Sequence, residues 1–246
     1  FFSTFIFLNL QIVYYTTRRN LIKNVAFGIL AEADHALAEY NVIMNFAKDG
    51  IRATYHDVTA QYNVIKNCYD VDDNHDDGIQ GYLANVGPGS VYRVTVRGNT
   101  IIQNEDPDQP HKGHLQGIGF FDGPHIDSVF ENNVVLTDHW HGVSVYNAQG
   151  CKILNNTVFN IHYQNGTNVV PYEFYLWIKI EGACDNNLVR NNVAHRFQLN
   201  STNLTADHNL TMNTTHDPAL WFSDYTTLDF SPVNGGPLVD TGSGTD

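Results

Sequence analysis

Asn41-Val42-Ile43-Met44-Asn45-Phe46-Ala47-Lys48-Asp49-Gly50-Ile51-Arg52 returns in outline as Asn63-Val64-Ile65 followed by Gly78-Ile79-Gln80. The leading phrase also stands at Asn20-Leu21-Ile22, Asn99-Thr100-Ile101, Asn133-Val134-Val135, Asn156-Thr157-Val158 and Asn192-Val193-Ala194. Its tightest spacings, 20 to 41, 41 to 63 and 133 to 156, are 21, 22 and 23 residues. That is the length of one turn of a three-sided β coil. Wider gaps, such as 63 to 99, read as one coil plus an inserted loop.

The second phrase recurs in step with the first, as Gly28-Ile29-Leu30, Gly50-Ile51-Arg52, Gly78-Ile79-Gln80, Gly117-Ile118-Gly119, Gly142-Val143-Ser144 and Trp177-Ile178-Lys179. Its apolar and polar residues alternate with the period of a strand that has one buried face. The pattern predicts an all-β chain folded as a single-stranded right-handed parallel β-helix, a β-solenoid. Stacked coils bring equivalent side chains to one strand spacing, roughly 4.8 Å, so the recurrent asparagines are expected to form a hydrogen-bonded ladder. Asparagine tolerates left-handed backbone, and the ladder residues are expected to take it at the corners.

Coils are expected over residues 1–199, with 200–246 as an irregular capping segment of the same domain, since a solenoid needs its last coil covered. The start from Phe1 to Phe7 reads as strand rather than signal peptide. The three cysteines, Cys68, Cys151 and Cys184, form no C-x-x-C pair and read as buried free thiols. A formal net charge of −13 argues against nucleic acid as a partner, and no apolar run is long enough for membrane insertion. The sequence leaves the oligomeric state open.

The Gly-Ile strands set two outward columns. Leu30, Arg52, Gln80, Gly119, Ser144 and Lys179 form the first, and Glu32, Thr54, Tyr82, Phe121, Tyr146 and Glu181 the second. Tyr82, Phe121 and Tyr146 are candidates for a flat strip under sugar rings, or for an aromatic ladder under a loop. Gly119 lowers the floor of the first column, while Arg52, Gln80 and Lys179 offer polar contacts to a polymer. Five carboxylates crowd Asp70-Val71-Asp72-Asp73-Asn74-His75-Asp76-Asp77, so Asp72, Asp73, Asp76 and Asp77 are the expected ligands of a calcium ion, against the alternative of a solvated acidic loop. Asp49 and Asp77 precede successive glycines and are candidates for a proton-sharing pair or for turn stabilisers. His75, His111, His114, His139 and His141 gather near the same edge, with His139 and His141 as a candidate base or H-x-H metal pair.

Through Asp76-Asp77-Gly78-Ile79-Gln80, Gln116-Gly117-Ile118-Gly119 and His141-Gly142-Val143-Ser144-Val145, the stretch from about Asn20 to Arg196 resembles the pectin-lyase-like superfamily. The resemblance implies a carbohydrate-active protein, secreted or at the cell surface, with a polysaccharide substrate. Its first implication is a lyase cleaving a uronate polymer such as alginate or pectate by β-elimination. Calcium or Arg52 would neutralise the carboxylate, His141 or Lys179 would be the base, and Tyr146 the acid, with Tyr82, Phe121, His75 and His139 binding sugar. Asp49-Gly50, Asp76-Asp77, His141-Gly142 and Ile178-Lys179 also look like a loosened polygalacturonase motif order, which implies an Asp-based hydrolase. Asn74-His75-Asp76 resembles the histidine-centred motif of mannuronan epimerases without its preceding proline. A solenoid that binds glycan without turnover is the remaining alternative.

Overall fold

Each recurring asparagine turns out to close a corner with all of its amide capacity. In the computed structural model, which describes residues 15–83, 89–106, 108–161, 175–212, 217–227, 229–239 and 241–242, the chain winds through three long parallel sheets. We call them A, B and C in the order in which each coil visits them. Sheets A and B have eight strands and sheet C has seven. One coil runs Leu37–Glu39 in A, Val42–Phe46 in B and Ile51–Ala53 in C, and the next begins at Thr59–Gln61, in register with Leu37–Glu39. The strand expected from Phe1 to Phe7 lies outside the described residues.

Asn20, Asn41, Asn63, Asn99, Asn133, Asn156, Asn192 and Asn209 form an unbroken ladder at the A-to-B corner. Each side-chain nitrogen donates to the Oδ1 of the next asparagine at 2.9–3.1 Å. Backbone N–H groups donate to the same oxygens, as from Asn63 to Asn99 at 3.0 Å. The second amide hydrogen reaches a carbonyl of sheet A, as from Asn99 to Ala60 at 2.9 Å. The six inner members are buried, where an unmet amide would carry its full desolvation cost. One expectation is corrected here: the left-handed residue is the one before each ladder asparagine. Arg19, Tyr40, Tyr62, Gly98, Asn132, Asn155, Asn191 and His208 all have φ between 46° and 62°. The turn is completed one residue early because the ladder asparagine must already aim both its N–H and its side chain along the helix axis. The corner is therefore two residues long on every coil, as between Glu39 and Val42 or Glu131 and Val134.

Sheet C keeps the expected register, Leu30–Arg52–Gln80–Gly119–Ser144–Lys179. The glycine that opens each phrase sits against the core: a Cβ on Gly117 would lie 2.3 Å from the Gly142 oxygen and 2.4 Å from Val135 Cγ1. Glycine and the following apolar residue thus both face inward. The residues flanking that pair meet each other instead, Asp49 with Arg52 at 2.6 Å, Asp77 with Gln80 at 2.9 Å and His141 with Ser144 at 2.7 Å. All three cysteines are buried and free.

The coil rhythm outlasts residue 199. Arg196–Leu199, Thr205–Asp207 and Leu210–Thr211 add a further turn in parallel to the preceding one. The described part of the tail folds back beside the stack, against Leu210 of the last coil as well as against earlier ones. Its antiparallel pair, Phe222–Asp224 and Asp229–Pro232, lies along the outside of sheet B. Trp221, Phe222 and Phe230 pack there on Ile102, Leu136, Phe159 and Val193, of which the first three share one register column. The physical reason is that the doublets Ile101-Ile102, Val135-Leu136 and Val158-Phe159 put apolar side chains on both faces of sheet B, and burying the outer one is worth roughly 1.5–3 kcal/mol per large side chain. Among the described residues no helix is long and apolar enough to cross a membrane.

Asn99→Ala removes the acceptor of the Asn63 amide and the donor to Ala60 and Asn133 at one stroke. With each stranded group costing about 1–3 kcal/mol, urea denaturation should show a loss of roughly 3 kcal/mol or more. Tyr62→Ala, at an exposed site one residue before the ladder, should lose far less in the same experiment.

Candidate functional site

Because the A-to-B corner admits no extra residues, the long loops emerge elsewhere. Two successive coils widen at the B-to-C corner, in segments 69–76 and 103–115, and the next coil turns that corner in the short segment 138–140. Together with sheet C they wall a cleft of about 600 Å³. The first loop supplies Asp70, Asn74, His75 and Asp76, the second His114, and the third Asp138, His139 and Trp140. Strands of sheet C add Gln116, His141 and Tyr146, with Phe121 just beyond one of them.

Of the residues singled out from sequence, His75, Asp76, Phe121, His139, His141 and Tyr146 line this cleft. Asp76 is buried at its wall, with Oδ2 accepting from the Cys68 thiol at 3.3 Å and Oδ1 from Asn74 at 3.0 Å. Burial pushes its carboxyl up to about 6, against the two hydrogen bonds. The aromatic strip is not flat: Phe121 stands edge-on to Tyr146 at 5.2 Å and 88°, and edge-on to His141 at 5.2 Å. Nor is Gly119 an open floor, since a Cβ there would lie 2.5 Å from both Phe121 Cε2 and Asp77 Oδ1.

His141 is not placed to be the base. Trp177 Nε1 donates to Ser144 Oγ at 3.2 Å, and the Ser144 hydroxyl lies 2.7 Å from His141 Nδ1. The indole can only donate, so the serine passes its own hydrogen on to Nδ1, and the ring proton sits on Nε2. Burial, then His139 and Lys179, lower the His141 pKa to about 3. His139 accepts the His141 backbone N–H on its Nδ1 at 3.1 Å, and burial lowers it to about 4. The two rings stack 5.3 Å apart as neutral donors. Lys179 is no base either. It is paired with Glu181 and lies over the rings of Trp177 and Tyr146, and these contacts outweigh burial to hold its pKa above that of an ordinary lysine.

Asp77 is fully buried behind the cleft, its carboxyl raised by burial and then by Asp49, which removes it from direct contact with a substrate. Asp49 is held by Arg52, and Arg52 is sandwiched between Phe27 at 4.2 Å and Tyr82 at 5.7 Å. Gln80 is spent on Asp77. Arg52, Gln80 and Tyr82 therefore stand on the coils beside the cleft rather than in it. The four carboxylates expected around calcium do not converge: Asp72 pairs with Lys48 at 3.4 Å, Asp73 is exposed, Asp76 holds Cys68 and Asn74, and Asp77 is buried. Among the described residues no three His, Cys, Asp or Glu side chains are grouped to hold a metal ion. Asp72, Asp76 and Asp77 are drawn apart because each has a nearer partner.

Two contributors escaped the sequence reading, Trp140 and Asp138. Trp140 stacks on His139 at 4.2 Å and is 40% exposed, which leaves an aromatic surface at the cleft. Asp138 lies 2.9 Å from His114. The run Asp138-His139-Trp140-His141 was the signal, masked by attention to its two histidines.

Neutral buried histidines give the fold an acid limit. His125, His139 and His195, each lowered to about 4 chiefly by burial, and His141 are uncharged when folded, whereas an unfolded histidine takes up a proton near 6.5. The unfolded state binds more protons as pH falls, so folding stability should be fully present above about pH 6.5 and drop between 6.5 and 4. Denaturant midpoints measured across that range check the sign.

No curated protein matches the chain. Among solved structures the chain is similar to full-length QnrB1, a plasmid-mediated fluoroquinolone resistance protein, at 10% identity and a TM-score of 0.24, over 78% of this chain and 94% of that one. A likeness that low carries no argument about function. The family model described as right-handed beta helix region matches residues 14–192, which takes in most of the asparagine ladder and of the three parallel sheets. The chain belongs to the right-handed β-helix family.

Proposed function

We propose that the chain is a carbohydrate-active protein that hydrolyses a glycosidic bond of a polysaccharide in the B-to-C cleft, with Asp76 as the acid that protonates the leaving oxygen. The observation that carries this reading is the makeup of that cleft: a buried carboxyl, two further carboxylates at Asp70 and Asp138, and the rings of Phe121, Trp140 and Tyr146 in its lining. Sugar rings present apolar faces and hydroxyl edges, so aromatic surface beside acceptors suits them. A carboxyl held near 6 by burial keeps its proton in the pH range where a neighbouring, more exposed carboxylate has lost it, the division of labour that glycoside hydrolysis uses. The likeness of Asp49-Gly50, Asp76-Asp77 and His141-Gly142 to the polygalacturonase motif order supports the same class.

Elimination from a uronate is supported less well. It requires a group to neutralise the sugar carboxylate, and the lining holds Asp70, Asp76 and Asp138 but neither Lys nor Arg. Arg52 is tied to Asp49 and Lys179 to Glu181. A secreted or cell-surface location goes with a polymeric substrate and is part of the same proposal.

Incubation with a panel of neutral and acidic glycans should release reducing ends without the ultraviolet absorbance of an unsaturated uronate, and a chelator should leave the rate unchanged. Since the acid works protonated, kcat/KM should fall as pH rises through about 6. Asp76→Asn should lower kcat by roughly 10²–10⁴-fold. Chelator-sensitive absorbance would return the assignment to a calcium-assisted lyase, and binding without any turnover would leave a glycan-binding solenoid.

A further inference from the structure

We infer that His114 and Asp138 form the base of the cleft, a dyad that takes the proton from the attacking water and is held in place by the buried side chain of Gln103. His114 Nδ1 lies 2.9 Å from Asp138 Oδ1, and both residues line the cleft that contains Asp76. A carboxylate accepts only, so the hydrogen between them belongs to Nδ1, and Nε2 becomes the basic nitrogen of the neutral ring. This is the opposite tautomer from that of His139 and His141, whose Nδ1 atoms are acceptors. One histidine of the three is thus wired as an acceptor of protons and two as donors.

The dyad joins two loops that the chain brings from coils 24 residues apart in sequence, and one side chain fixes both. Gln103 is buried, 4% exposed, and its Oε1 accepts the backbone N–H of Asp138 at 2.9 Å and that of Leu115, the residue after His114, at 3.3 Å. Its own backbone is clamped in the stack, with its N–H on Leu136 O and its carbonyl receiving Cys68 N–H, both at 2.8 Å. Gln103 therefore ties both loops to the stacked coils. It is a positioning residue. It reaches the cleft only through the groups it holds.

The assignment deepens the hydrolytic reading and depends on it only for the reaction that the dyad drives. In that reaction the water oxygen forms a bond to the anomeric carbon and gives its proton to His114 Nε2, while the carbon–oxygen bond to the leaving sugar breaks and that oxygen takes the Asp76 proton. Solvent then returns a proton to Asp76 and removes one from His114, which restores both groups. A base that activates water implies inversion at the anomeric carbon. His114, Asp138 and His75 all act electrostatically on His139, so the dyad shares its surroundings with those two further histidines.

Two measurements separate this inference from the hydrolase reading. Nitrogen-15 spectra of the whole labelled protein, which need no substrate, should show His114 protonated on Nδ1 at neutral pH, and Asp138→Asn should redistribute that proton towards Nε2. A wild-type His114 protonated on Nε2 would overturn the dyad whatever the enzyme turns over. On a glycan that the wild type hydrolyses, Asp138→Asn and His114→Gln should lower kcat by roughly 10²-fold or more with KM little changed. Gln103→Leu should do the same while losing the tautomer signature, and Gln103→Glu, which keeps an acceptor for both amides, should restore much of each. If Asp76→Asn abolishes hydrolysis while His114→Gln does not, the base assignment falls and the hydrolase stands.

Discussion

Eight side-chain amides, each donating to the next along one edge, set the terms for everything else in this chain. An amide inside such a row has a donor to the next coil, a donor to the neighbouring strand and an acceptor filled from the coil before, so nothing at that corner can slide or lengthen without stranding a polar group in a dry interior. Fixing one corner fixes the rise and the register of all three sheets. It also dictates where variation is allowed. Among the described residues the A-to-B corner carries no insertion, and two of the insertions at the B-to-C corner, 69–76 and 103–115, fall on consecutive coils, which is why loops distant in sequence share a cleft.

The same constraint explains how the protein holds polar chemistry on an otherwise regular surface. In sheet C the inward glycine and the apolar residue after it occupy the core side together, and the polar residues on either side of that pair become neighbours. Three coils use the resulting contact as a lock, Asp49 with Arg52, Asp77 with Gln80 and His141 with Ser144. These locks consume the groups that look most reactive in a linear reading. What is left to act on a ligand comes from the loops, where side chains are anchored by single buried contacts such as Cys68 on Asp76 and Gln103 on the loop amides.

Much of the fold was legible because it is written in local, repeated phrases. Asn-Val-Ile and Gly-Ile each recur at coil length, and their alternation gave the first column of sheet C correctly from Leu30 to Lys179, whereas Thr54 of the second is buried. The left-handed position was misread by one residue because asparagine tolerates that backbone anywhere, and Tyr40 and Tyr62, which adopt it here, carry no such signature. The placement of the tail was available in the paired apolar residues Ile101-Ile102 and Val135-Leu136, which announce a sheet buried on both faces. The site was far less legible. Asp72 to Asp77 looked like one cluster because the residues adjoin in sequence, yet alternating directions and nearer partners such as Lys48 and Arg52 disperse them. Whether His141 gives or takes a proton is decided by Trp177, a neighbour in sheet C but 36 residues away along the chain.

The tail along sheet B changes how the solenoid comes apart. A stack in which each coil touches only its neighbours melts from its ends, one turn at a time. Here Trp221, Phe222 and Phe230 lie across Ile102, Leu136, Phe159 and Val193, on four successive coils. Removing the terminal turn means first peeling this strap from turns that are still intact, so fraying at the C-terminal end is tied to the melting of the middle. A one-dimensional array becomes, over that stretch, a single cooperative unit, and two of the three segments that wall the cleft, 103–115 and 138–140, rise from coils that the strap binds together.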